Sequence, residues 1–124
     1  DVVSKAGSYL GGIIIPGPVT IANSLHKGTS QLPRVTIDFP DNVIGQSTDH
    51  AIQAGLSWGI IDMVDGLLNR LKLEIGGIVK VVSTGGLVDS FAKRSRLFGD
   101  VHQGLVLEGV RLIYKKWKEY SNAE

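Results

Sequence analysis

The feature that most constrains the fold of this chain is an apolar run that breaks at two glycines and continues as a helical pattern. Val79–Val82 leads through Ser83 and Thr84 to Gly85-Gly86, and Leu87–Arg94 has helical spacing. This order predicts a strand, a glycine turn and a helix, which is a building unit of α/β folds. Because glycine lacks a Cβ atom and a helix start has unpaired N–H groups, such a turn is half of a nucleotide site. Tight packing alone explains most turns of this kind, and neither a P-loop nor a dinucleotide fingerprint is present.

A long helical pattern starting at Ser47 is the second constraint. Ser47 is a natural cap and Asp49 favours the first turn. Ala51, Gly55 and Gly59 fall four apart on one face, so the backbone there can approach another helix, either within the domain or across a homodimer. The apolar positions that define the pattern are Ala51, Leu56, Ile60, Met63, Val64, Leu67, Leu68 and Leu71.

The other elements complete an α/β domain. Val2–Ser4 and Tyr9–Ile15 are predicted to form a hairpin whose second strand is buried, and Thr20–Lys27 to form a short helix. Val35–Ile37 is predicted as an edge strand and Leu105–Tyr120 as a terminal helix with one apolar face. We therefore expect a single domain over residues 1–124, with a small mixed sheet packed against helices.

Composition limits the class of protein. The 124 residues include 43% hydrophobic and 20% charged residues, which is a globular balance, and a net charge of +1 gives no reason to expect a nucleic-acid or membrane partner. The absence of cysteine excludes disulfides and thiol chemistry and suits the cytoplasm, where we expect the protein to be soluble. The chain begins at Asp1 rather than methionine, which suggests a piece of a longer polypeptide.

No self-contained active site is predicted. His26, His50 and His102 lack the spacing of a helical metal pair, so each is expected to be structural or solvated. We predict no metal ligands and no catalytic residues within the chain.

Four segments taken in order resemble the type III pantothenate kinase family. They are Gly11–Gly17, Ile44–Thr48 with Gln53 and Gly55, Ser83–Leu87, and Leu107–Tyr114. Asp1-Val2-Val3 is similar to the residues that follow that family's Asp-x-Gly-Thr-Ala turn. The resemblance covers nearly the whole chain.

The resemblance implies a ribonuclease H-like fold of the acetate and sugar kinase, Hsc70 and actin type, with two similar domains. This chain would be most of the second, C-terminal domain. Such enzymes transfer the γ-phosphate of ATP to pantothenate in the first step toward coenzyme A, using Mg²⁺ and a monovalent cation, K⁺ or NH₄⁺. The family's catalytic base and first phosphate turns would precede Asp1, in a missing N-terminal domain, so the chain alone is expected to be inactive.

The resemblance also implies roles for residues of this chain. Thr48 matches the family threonine that reaches across a homodimer to hydrogen-bond pantothenate, although capping shared with Ser47 is the simpler alternative. Thr84, Gly85 and Gly86 match the adenosine side of the ATP cleft.

Two other functions remain open from the sequence. One is a non-enzymatic homologue that acts as an accessory factor in transcription regulation. The other is a structural domain whose glycine turns serve packing.

An additional carboxylate, Asp49, beside a site for anionic pantothenate would oppose binding unless it points away or serves the helix start.

Overall fold

The computed structural model describes residues 1–122, and the chain divides into two compact units, Asp1–Ile60 and Ile61–Glu124. The described residues form two two-stranded sheets and four helices, so the predicted α/β class is confirmed while the strands do not join in one sheet. The elements in order are β1 (Val2–Val3), β2 (Tyr9–Gly11), α1 (Pro18–Gly28), α2 (Thr48–Ile75), β3 (Val82–Ser83), α3 (Val88–Ala92), β4 (Asp100–Val101) and α4 (Leu105–Ser121).

The first unit opens with the predicted hairpin. β1 and β2 are antiparallel, with Val2 opposite Gly11 and Val3 opposite Tyr9. The predicted burial of the second strand is wrong, because Tyr9 and Leu10 are 67% and 60% exposed. These two strands pair only with each other in the described structure, so the hairpin keeps open edges.

Helix α1 begins two residues before the predicted start. Gly17 precedes it and Pro18 occupies its first turn, where the fixed φ of proline suits a helix and its missing N–H is not needed. At the other end, the Thr29 hydroxyl donates to the Leu25 carbonyl at 2.8 Å. His26 lies 2.8 Å through Nδ1 from the Leu32 carbonyl oxygen, which confirms a structural role.

A segment without regular secondary structure before α2 is held by side chains of that helix. Three carbonyl groups at alternate positions of this segment accept hydrogen bonds from side chains of α2. The predicted edge strand at Val35–Ile37 is wrong, because these residues pair with no strand and the Thr36 carbonyl accepts from a helix side chain instead. The three bonds are Gln53 Nε2 to Thr36 O at 3.3 Å, Ser57 Oγ to Asp38 O, and Trp58 Nε1 to Pro40 O at 3.1 Å.

The long helix α2 supplies most of the buried side chains of the first unit. Ala54, Leu56 and Ile60 are buried there, and Ser57 is fully buried with its hydroxyl bonded. Burying a leucine or isoleucine contributes about 1.5–3 kcal/mol, so this helix face anchors the unit. The helix continues into the second unit and ends at Ile75.

The second unit contains the predicted strand, glycine turn and helix. β3 pairs in parallel with β4, with Val82 opposite Asp100 and Ser83 opposite Val101. The pairing is secured by His102 N donating to Ser83 O at 2.8 Å. α3 spans five residues, shorter than the predicted Leu87–Arg94.

The terminal helix α4 is confirmed close to its predicted limits. None of its residues is buried, and its apolar side chains, including Leu107, Ile113 and Trp117, are exposed. Within residues 1–122, no helix has the length and hydrophobicity needed to cross a membrane.

Candidate functional site

Two adjacent residues with hydroxyl groups, Ser47 and Thr48, have different roles at the start of α2. The backbone N–H of His50 donates to Ser47 Oγ at 3.3 Å, and Ala51 N donates to Ser47 O at 2.9 Å, so Ser47 is the cap. Thr48 is the first helical residue and is exposed. Its side chain makes no hydrogen bond with any residue of the described chain. The Thr48 hydroxyl is therefore available to a ligand.

The loop before Thr48 folds back onto the first turn of α2. His50 lies 2.8 Å through Nε2 from the carbonyl oxygen of Asn42, eight residues earlier. Gly45 lies so close to Ala51 that an added Cβ would overlap the backbone of Ala51. Only glycine fits this approach without a shift of the helix.

A surface depression of about 580 Å³ opens at this loop, lined by Asn42, Val43, Ile44, Gln46 and His50. Val43 and Ile44 are 66% and 84% exposed, so the surface combines apolar side chains with the Gln46 amide. The volume falls within the range of small-molecule sites, roughly 300–1,000 Å³. Sequence reasoning missed His50 as part of this surface, because only the reversal of the chain brings it to Asn42.

The glycine turn after β3 presents open backbone. Thr84, Gly85 and Gly86 are all exposed, and Gly85 O accepts from Val88 N at 3.2 Å. Gly85 has φ of +116°, which side-chain-bearing residues rarely adopt, and no atom lies within 4 Å of where a Cβ on Gly85 or Gly86 would sit. Since α3 is one short turn, the open glycine backbone is the feature that a flat ligand can use.

These two candidate sites belong to different units. Thr48 and its loop lie in Asp1–Ile60, and Thr84–Gly86 lies in Ile61–Glu124.

The described residues include no group of three or more histidine, aspartate or glutamate side chains that could hold a metal ion.

One ion pair on α4 shifts the pKa values of both its members. The hydrogen bonds from Arg111 hold the pKa of Glu108 below its ordinary value, and the same bonds raise the pKa of Arg111. This pair lies outside both candidate sites in sequence.

The known proteins to which this chain is similar are kinases. The model of the type III pantothenate kinase family matches residues 1–70. The chain therefore belongs to the type III pantothenate kinase family.

Several curated relatives carry that name. The protein from Koribacter versatilis is 45% identical over 116 residues, which cover 94% of this chain and 42% of the relative. Those from Myxococcus xanthus and Rhodospirillum centenum are 46% and 43% identical, covering 92% and 94% of this chain and 44% and 46% of the relatives. The chain thus spans less than half the length of these relatives and corresponds to their C-terminal part.

Proposed function

We propose that this chain is the C-terminal domain of a type III pantothenate kinase with an actin-type fold. In the whole protein it would take part in transfer of the γ-phosphate of ATP to pantothenate. Family membership over residues 1–70, with 45% identity to a pantothenate kinase across 94% of the chain, is the observation that carries the proposal.

Thr48 is the proposed pantothenate contact. Ser47 already caps α2, so the alternative role for the Thr48 hydroxyl is taken by its neighbour. The Thr48 hydroxyl is unpaired and exposed, and its sequence neighbours Gln46 and His50 line a depression of small-molecule size, which suits a ligand with hydroxyl and amide groups.

Thr84, Gly85 and Gly86 are the proposed contacts for the adenosine of ATP. The observation in favour is the open, exposed backbone at Gly85 and Gly86, which a planar base can approach without a Cβ in the way. ATP use is implied by the family; Mg²⁺ and a monovalent cation are part of the proposal. Following the family resemblance, we assign both cations to the preceding part of the whole protein.

The reaction forms one bond and breaks one bond. The pantothenate hydroxyl oxygen attacks the γ-phosphorus, the bond from that phosphorus to the bridging oxygen breaks, and ADP leaves. The hydroxyl proton passes to a base, which we assign to the same preceding part. Residues of this chain then contribute binding and orientation, which is a large share of catalysis in phosphoryl transfer.

A homodimer is part of the proposal, because the matched threonine acts across a dimer. Ala51, Gly55 and Gly59 form an exposed strip on α2, and no atom lies within 4 Å of a Cβ placed on either glycine. A second helix therefore has room to approach the backbone of α2 closely.

The test is pantothenate-dependent release of ADP by the full-length protein with ATP, Mg²⁺ and K⁺, beside the 124-residue chain. We expect release by the full-length protein alone. If neither protein releases ADP, the proposed kinase function is overturned and the non-enzymatic homologue becomes the better account.

A further inference from the structure

We propose that His50 is a positioning residue for pantothenate, a role that rests on the proposed function of Thr48. His50 holds the loop of residues 42–47 so that the depression beside the start of α2 keeps its form. The sequence predicts only a structural or solvated histidine at this position, whereas its contacts in the structure indicate the positioning role.

His50 joins both ends of this loop. Its side chain reaches Asn42 O through Nε2 at 2.8 Å, and its backbone N–H donates to Ser47 Oγ at 3.3 Å. A carbonyl oxygen only accepts, so the His50 bond requires Nε2 to carry the proton.

The loop held in this way forms the wall of the depression. Asn42, Val43, Ile44 and Gln46 line it together with His50 itself. Exposed apolar side chains at positions 43 and 44 match the dimethyl part of pantothenate, and the Gln46 amide matches its hydroxyl and amide groups. Without the bond from His50, the nearest contacts that hold the loop are the Trp58 bond to Pro40 O on one side and the close packing of Gly45 on Ala51 on the other.

This arrangement predicts an effect on substrate binding rather than on chemistry. Loss of one ordering hydrogen bond leaves the loop mobile, so binding of pantothenate becomes weaker, while ATP contacts in the other unit are untouched. In His50→Ala, the KM for pantothenate should rise about tenfold, with kcat and the KM for ATP within about twofold of wild type.

The experiment uses steady-state kinetics of the full-length protein. His50→Gln retains a donor near the position of Nε2 and should restore most of the pantothenate KM. His26→Ala is the matched control, since His26 makes the same kind of bond to a backbone carbonyl, at 2.8 Å from Leu32 O, but lies on α1. It should leave the pantothenate KM unchanged.

The outcomes separate the two proposals. An inactive wild-type protein overturns the proposed function, and this inference with it. An active wild type whose His50→Ala variant keeps its pantothenate KM overturns the role of His50 alone. Equal rises in both KM values, or the same change in His26→Ala, would also overturn it, because they indicate general loss of structure.

Discussion

At the scale of single residues, the start of α2 divides two tasks between adjacent hydroxyl groups. Ser47 accepts the His50 N–H and so stabilises the helix, whereas the Thr48 side chain makes no hydrogen bond within residues 1–122. Ser47→Ala should lower the free energy of unfolding by about 1 kcal/mol. Thr48→Ala should change it by less than about 0.5 kcal/mol, and urea denaturation of both variants measures the difference.

The same division predicts a kinetic effect. In the full-length protein, Thr48→Ala should raise the KM for pantothenate far more than the KM for ATP, because only the proposed pantothenate contact is lost. Thr48→Ser retains the hydroxyl and serves as the control. Equal effects of Thr48→Ala on the two KM values would contradict the assigned contact.

At the scale of secondary structure, the helices were predictable and most strand limits were not. α2 and α4 have long apolar periodicity, so the predicted and observed limits agree within a few residues. β4 has two residues and no periodicity of its own, and it was not predicted. It forms because the backbone N–H groups of Asp100 and His102 donate to the carbonyl oxygens of residues 81 and 83. These partners are distant in sequence, so no local pattern indicates them.

The segment before α2 illustrates why local pattern misleads. Val35–Ile37 has strand-like residues, although the structure gives it no regular secondary structure. Its Thr36 carbonyl nevertheless accepts from Gln53 of α2, and the following Asp38 carbonyl accepts from Ser57, contacts that no local pattern indicates. The candidate site is similar: motif matching proposes Thr48, while His50 and Asn42, which line the depression, come together only in the folded chain.

The exposed strip on α2 gives a prediction about assembly. Gly59→Leu places its side chain in open space in the single chain, so the chain should still fold. If two copies meet at this strip, the leucine blocks close approach and should convert dimer to monomer, as light scattering after size exclusion would report. Lys116→Leu is the control: it places the same side chain on another exposed helix, α4, and should not alter the molecular mass of the assembly in solution. A Gly59→Leu variant that stays dimeric would remove this strip from the interface.

The ion pair on α4 gives a pH prediction. Arg111 donates to Glu108 at 2.8 Å and 2.6 Å and so lowers the pKa of Glu108 in the folded state. A lowered folded-state pKa means that the stabilisation is present above the unfolded-state pKa, about 4.3, and is lost as pH falls through the folded-state value. NMR titration should find the Glu108 pKa restored to its ordinary range in Arg111→Gln. An unchanged pKa in that variant would show that Arg111 is not the cause.

At the scale of the whole molecule, the described chain buries little of its apolar surface. The buried hydrophobic side chains among residues 1–122 are Ala54, Leu56, Ile60, Ile61, Val88 and Phe91, whereas the apolar face of α4 is exposed. A small core supports limited stability, since net stability is a small difference between large terms. This is the property expected of a chain that spans less than half the length of its relatives.

The exposed face of α4 makes this testable on the 124-residue chain. Val110 and Ile113 are 59% and 70% exposed, and contiguous apolar surface of this kind binds hydrophobic dyes such as ANS. The chain should therefore enhance ANS fluorescence, and the double variant Val110→Gln and Ile113→Gln should reduce the enhancement. Replacing Lys115 and Lys116 by glutamine on the charged side is the matched control and should leave the apolar surface unchanged. If the double variant and the control bind the dye alike, the α4 face is covered in solution and the dye reports other exposed apolar residues, such as Ile14 and Ile78.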